Sequence, residues 1–200
     1  MRSSLLIVPA LLWFTTCLAA QPQAGANAVT ANASALLQGR FDNRDQAGKA
    51  SSDPEHAIPR VTVTIEPTPQ ANWSLWHVHL ETDAQSSFDQ TWAMQARAEH
   101  DGSGSLIPYY QLRQTQAPAA AAFDPHDWLS LEACAMRGEF KKNRIEGMAE
   151  GEPCVAVSMN IGARRALLPV GIVREGEWLH LDLSLRGVRT RIDAKRLRAD

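Results

Sequence analysis

The chain has 200 residues, with 20 Lys and Arg against 22 Asp and Glu, a formal net charge of −2. That length accommodates one domain with a sizeable core, and a balanced charge without a basic field argues against a nucleic-acid partner. Three cysteines permit one bridge at most, which excludes a fold held mainly by disulfides.

Arg2 and then an apolar run over residues 5–14, followed by small residues, have the layout of a Sec signal peptide. The run is too short to span a bilayer. Cleavage fits after Ala19 or Ala26, and a lipoprotein reading at Cys17 would need Phe14-Thr15-Thr16 to act as a poor lipobox. The expectation is therefore a signal and mobile leader over 1–26, export to the periplasm or the medium, and no transmembrane segment in the mature protein. Loss of the leader leaves Cys134 and Cys154, which in an oxidising compartment are expected to form one disulfide. Two buried free thiols are the alternative, and a metal site is weaker because no Cys-x-x-Cys or His cluster accompanies them.

Residues 21–31, rich in Ala, Gln, Asn and Gly, read as mobile. A short helix is expected over 33–38, capped by Asn32 and stopped at Gly39. A polar stretch, 39–47, has Phe41 as its one aromatic anchor, and 49–59 reads as a loop. The first strand covers 60–66, with Val61, Val63 and Ile65 on one side, and a Pro-rich turn follows at 67–70. The longest strand, 73–82, sets Ser74, Trp76, Val78, Leu80 and Thr82 against Trp73, Leu75, His77, His79 and Glu81. The strand over 89–99 sets Trp92, Met94, Ala96 and Ala98 against Gln95, Arg97 and Glu99. A Gly-rich hairpin leads to a strand over 106–113 whose Pro108 predicts an edge or a bulge. An Ala/Pro bridge, 114–122, precedes a helix opened by Asp124-Pro125.

From 133 to 185 the punctuation is that of tight hairpins. Turns fall at 141–143 and 150–153, and strands are expected over 155–159, 166–173 and 178–185. The basic segment 186–198 reads as a solvated last strand and a frayed end. Eight or nine antiparallel strands with few helices imply a sandwich or a closed barrel. The barrel is preferred, because closure removes exposed edges and a barrel of this size can enclose one ligand.

His77 and His79 share a strand face, a spacing that suits metal ligands, with Glu81 or the His180/Asp182 pair as further donors. Two surface histidines are the commoner meaning, and no metal is expected. Gln95, His180 and Asp182 are either the few polar groups of an apolar cavity or wet outward-facing residues. The aromatic residues can line a pocket for a flat ligand or simply fill a core. The ligand-contacting set on this reading is Trp76, Trp92, Gln95, Tyr109, His180 and Asp182. No nucleophile elbow or phosphate-cradling loop is present.

Several of these residues fall in a family order. Gly39, Phe41, Asn43, Gln46 and Ala47 match a Gly-x-Phe-x-Asn-x-x-Gln-Ala element after a short helix. Cys134, Phe140, Gly147 and Cys154 follow in sequence, with Ala133 where the family has glycine, and then come Gly162-Ala163 and Asp182. Trp92-Ala93-Met94-Gln95-Ala96 is similar to a Tyr-Val-Glu-Gln-Ala strand. In these respects the chain resembles the T-type phycobiliprotein lyases, the CpcT/CpeT chromophore lyase family, over about 35–185. The resemblance implies a calycin- or lipocalin-like antiparallel β-barrel domain with one or two short helices, over 32–193. It also implies non-covalent binding of a hydrophobic or tetrapyrrole (bilin) molecule. The protein would act as carrier or chaperone, with lyase transfer to an acceptor cysteine, or a ligand-free envelope module, as alternatives.

Overall fold

The computed structural model describes residues 23–50, 58–83, 86–99, 103–111, 119–160, 167–185 and 188–198. Residues 1–22, which hold most of the expected signal and leader, most of the Ala/Pro bridge and the Gly162-Ala163 pair lie outside them. Helix α1 spans Gln23–Leu37, and β1 (Gly39–Asp42) leads into α2 (Arg44–Ala50). Four strands follow: β2 (Arg60–Pro67), β3 (Trp73–Asp83), β4 (Ser86–Ala98) and β5 (Gly104–Gln111). The second half contains β6 (Trp128–Ser130), β7 (Met136–Lys141), β8 (Arg144–Met148), α3 (Gly151–Asn160), β9 (Leu168–Glu175), β10 (Trp178–Leu185) and β11 (Val188–Arg196).

Neighbours run β4-β3-β2-β1-β11-β10-β9-β8-β7-β5, and β5 pairs back onto β4, so ten antiparallel strands close into a barrel. The expected calycin-like all-β class is the observed one. β6 and β7 share one lane beside β5: β7 pairs at Gly104–Leu106 and β6 at Tyr109–Gln111. Pro108 sits at the break between them, where its missing N–H costs no ladder bond and its carbonyl accepts from Leu131 N–H at 2.9 Å. The expected irregularity at Pro108 is thus an interrupted partner lane, and the strand lies within the barrel wall.

Alternation sorts the wall as expected. Val61, Val63, Ile65, Trp76, Val78, Leu80, Trp92, Met94, Leu179, Leu181 and Leu183 belong to one buried cluster inside the barrel. A smaller cluster, Trp73, Leu75, Ala93, Phe123 and Trp128, lies on the outer side of β3–β5 under the 119–131 segment. β1 was not expected as a strand, whereas β11 is the expected last strand, with Ile192 and Ala194 buried on its inner face; together they close the seam. β1 is short, pairing with β11 only at Phe41↔Arg196 and Asp42↔Lys195. Beyond that point a side chain takes over the ladder. The Gln46 amide on α2 donates to Arg191 O at 3.1 Å and accepts from Asp193 N–H at 3.0 Å, as a strand residue would. Buried Asn43 does the same for β2, accepting from Val61 N–H at 2.7 Å and donating to Pro59 O at 3.0 Å. The Phe41, Asn43 and Gln46 element is therefore a device for closing the barrel.

Three expectations about local structure are corrected. Residues 21–31 are not a mobile stretch throughout, because α1 begins at Gln23; an Ala-rich segment has the highest intrinsic helix propensity even without an amphipathic pattern. The strand expected over 155–159 is part of α3, where Pro153 sits in the first turn, the one helical place that tolerates it. The helix expected after Asp124 is a single 3-10 turn, Pro125–Asp127: Asp124 does cap it, accepting from His126 N–H at 3.0 Å, but β6 starts at once.

Cys134 and Cys154 form the expected disulfide, their Cα atoms 4.5 Å apart. The bridge ties α3 to the 3-10 turn Glu132–Cys134 ahead of β7. Closing a loop of this length constrains the unfolded chain and stabilises the fold by about 3 kcal/mol.

Candidate functional site

The barrel wall turns an aromatic row inward. Register places Gly39 opposite Ile65, Ile65 opposite Trp76, Trp76 opposite Trp92 and Trp92 opposite Tyr110, so these residues line one interior course across five strands. Trp76 and Trp92 have no solvent exposure, and Tyr110 is half-buried with its ring 5.8 Å from that of Trp92. Both indole N–H groups are satisfied. Trp76 donates to Ser74 Oγ at 2.9 Å, and Trp92 reaches from β4 to the Leu167 carbonyl just ahead of β9, also at 2.9 Å. Since β4 and β9 stand four places apart around the closed wall, the Trp92 side chain bridges the lumen.

One end of this lumen carries charge. Arg174 on β9 and Arg196 on β11 project inward, and both guanidinium groups lie over the Phe41 ring, at 5.2 and 5.4 Å. Arg174 is 2% exposed. It donates to Leu36 O at 3.1 Å, to Trp178 O at 3.1 Å and to Gly176 O. Arg196 donates to Gln38 O and, at 3.4 Å, to Leu36 O. The two arginines thus hold the C-terminal carbonyls of α1, whose last turn has no basic residue of its own. Ala33 and Leu37 of α1 sit in the barrel core, and the helix packs across β4 and β7. Burial pushes the Arg174 pKa down and the Arg196 charge adds to the effect. Gly39 is required beside them: its φ is +142°, and a Cβ there would stand 3.1 Å from Arg196 Nε.

The six residues expected to contact a ligand are distributed over three places. Trp76 and Trp92 meet inside the barrel. Gln95 and Tyr109 meet outside it, Tyr109 donating to Gln95 Oε1 at 3.0 Å and its ring packing edge-on to Trp73 at 4.5 Å. His180 and Asp182 also face outward, on β10. His180 Nδ1 lies 2.6 Å from Asp193 Oδ1, and Asp182 accepts from Arg189 at 2.7 Å. They line an outer groove of about 570 Å³ with Arg137, Glu139, Glu146 and Arg191. Burial alone would raise the Asp193 pKa, but hydrogen bonds from His180 and Arg191 and their charges hold it below the usual carboxylate value. Asp182 can lie against the wall because the facing residue is Gly171, where a Cβ would come within 2.8 Å of its carboxylate.

A second outer groove, about 440 Å³, crosses β1–β4 and contains His77 and His79. His79 Nδ1 lies 2.7 Å from Asp89, and His77 Nδ1 lies 3.0 Å from Thr91 Oγ1. Among the described residues no three His, Cys, Asp or Glu side chains converge as metal ligands, nor is any helix long and apolar enough to cross a membrane. Nearby, Asp42 accepts from Arg60 at 2.9 Å and from Arg44 N–H at 2.8 Å. Burial opposes its ionisation, yet these hydrogen bonds and charges together set its pKa below the ordinary value.

Comparison with known proteins adds nothing to this geometry. No family model, curated protein or solved structure matches the chain.

Arg174, Arg196 and Phe41 are the lumenal residues that sequence reasoning missed as a group. The signal was the same alternation used elsewhere. Ile172 and Arg174 are two apart, as are Ile192, Ala194 and Arg196, which places both cations on the inner face of their strands.

Proposed function

We propose that this protein binds a hydrophobic small molecule non-covalently in its barrel, against the Trp76–Trp92–Tyr110 course, and acts as a carrier or chaperone for it. The observation that carries the reading is the unbroken interior alignment of those three aromatic residues on neighbouring strands, a surface suited to a flat or conjugated apolar body. The closed antiparallel barrel is compatible with such a ligand. A bilin or related open-chain tetrapyrrole is the ligand class that the likeness to chromophore lyases favours. Transfer of that chromophore to a protein cysteine is the corresponding enzymatic reading. The disulfide fits a periplasmic or extracellular place of work, as the signal-like start of the chain does.

A second reading is favoured by one specific contact. The Trp92 indole spans the lumen to Leu167 O, as a side chain filling a solid core would, and a ligand-free envelope module is built that way. Titration with biliverdin separates the two. Saturable binding with circular dichroism induced in the visible band supports the carrier, while a flat titration supports the filled barrel. Addition of a phycobiliprotein subunit then tests transfer, read as covalent pigment on a denaturing gel.

A further inference from the structure

We infer that the lumenal ligand carries an anionic head, a medium-chain monocarboxylate being the class that fits, and that the head replaces the C-terminal carbonyls of α1 on Arg174 and Arg196. The inference rests on the lumenal-binding reading above and deepens it. Two guanidinium groups face one buried ring, and their recorded hydrogen bonds among the described residues all go to backbone carbonyls. A helix C-terminus offers only about half an elementary charge, against two full positive charges. The site is therefore short of negative charge, and Arg174, which is buried, holds its cation where an unpaired charge is costly. Donor capacity is also left over, since Arg196 Nε is buried and has no partner among the described residues. A carboxylate supplies the missing charge and matches the guanidinium fork.

The rest of the ligand follows from register. From Gly39, beside Arg196, the interior course runs through Ile65 and Trp76 to Trp92. That is three interstrand spacings of about 4.8 Å each, roughly 14 Å, the reach of a medium-length alkyl chain. α1 reaches this end through Ala33 and Leu37, its fully buried side chains among those described, and its last carbonyls accept from the two arginines. Gly39, at φ +142°, lies two residues beyond the helix end and is the pivot. When the carboxylate takes the arginines, the last turn of α1 loses its anchor and swings out about Gly39.

The test uses the full chain, titrated calorimetrically with dodecanoate and with 1-dodecanol, an uncharged probe of equal length. Dodecanoate is expected to bind at least tenfold more tightly. Arg196→Gln is expected to remove that advantage, with 1-dodecanol binding still measurable as the sign that the variant folds; Arg174→Gln is the parallel test. Amide exchange over residues 30–38 is expected to accelerate on adding dodecanoate. Equal affinity for the two probes, an unaltered preference in folded Arg196→Gln, or slower exchange in α1 would overturn the head-group inference and leave lumenal binding standing. Failure of both probes, together with a flat biliverdin titration, would overturn the lumenal reading and this inference with it.

Discussion

The outer and inner faces of the barrel wall handle polarity in opposite ways. Outside, charges alternate in sign along and across the strands, and partners meet in place: Arg60 with Asp42 and Glu81, Arg144 with Glu146 and Glu175, Arg97 with Glu132, Arg189 with Asp182. Those pairs with both partners exposed contribute little individually, and together the pairs leave a face whose charge is locally balanced. Inside, the wall is apolar and aromatic until the α1 end, where two arginines face each other's charge across Phe41. The difference teaches that polar residues on the wall do not by themselves mark a site. The informative ones are those whose charge the fold does not balance.

The largest effect should come from the lumen. Trp92→Ala removes a fully buried indole and leaves the Leu167 carbonyl without its donor, at an expected cost of about 3–5 kcal/mol in urea unfolding. A loss below about 1 kcal/mol would mean the lumen is loosely filled there, and would weaken the contrast between the two faces. Reduction of Cys134–Cys154 comes next, with about 3 kcal/mol lost and a lower melting temperature. An unchanged melting temperature under reductant would contradict the bridge. Gln46→Ala should cost about 1–3 kcal/mol, because Asp193 N–H and Arg191 O lose the side chain that stands in for a strand. Hydrogen exchange at the Asp193 amide checks this locally.

The smallest effect is electrostatic and belongs to the outer wall. Asp42 has a folded pKa below its unfolded one, so its contribution is present above the unfolded carboxylate value, about 3.9, and is lost as pH falls through the folded value. The stability gap between the native chain and Asp42→Asn should therefore be measurable at pH 7 and shrink as pH drops below about 4. A gap that widens in acid would reverse the sign of this argument.

Much of the wall could be read in the sequence, because period-two alternation is a local property. The inward faces of β2, β3, β4 and β10 are the expected ones, as is the cysteine pair. What escaped depended on distant partners. β1 reads as a polar stretch because its few residues are completed by Gln46 and Asn43 side chains reaching β11 and β2. β-branched Val155 and Val157 suggested a strand, yet Pro153 and the disulfide at Cys154 place that segment in α3. Of the expected ligand contacts, Trp76 and Trp92 do meet, since cross-strand register brought them opposite each other. Gln95, Tyr109, His180 and Asp182 lie on the outward phase of the same alternation.

The most direct test of the lumenal site is fluorine NMR of the full chain labelled with 5-fluorotryptophan, followed while biliverdin and then dodecanoate are added. The account predicts that the Trp76 and Trp92 resonances shift saturably while those of Trp73 and the exposed Trp178 stay in place. Shifts confined to Trp178, or none at all with either probe, would contradict it.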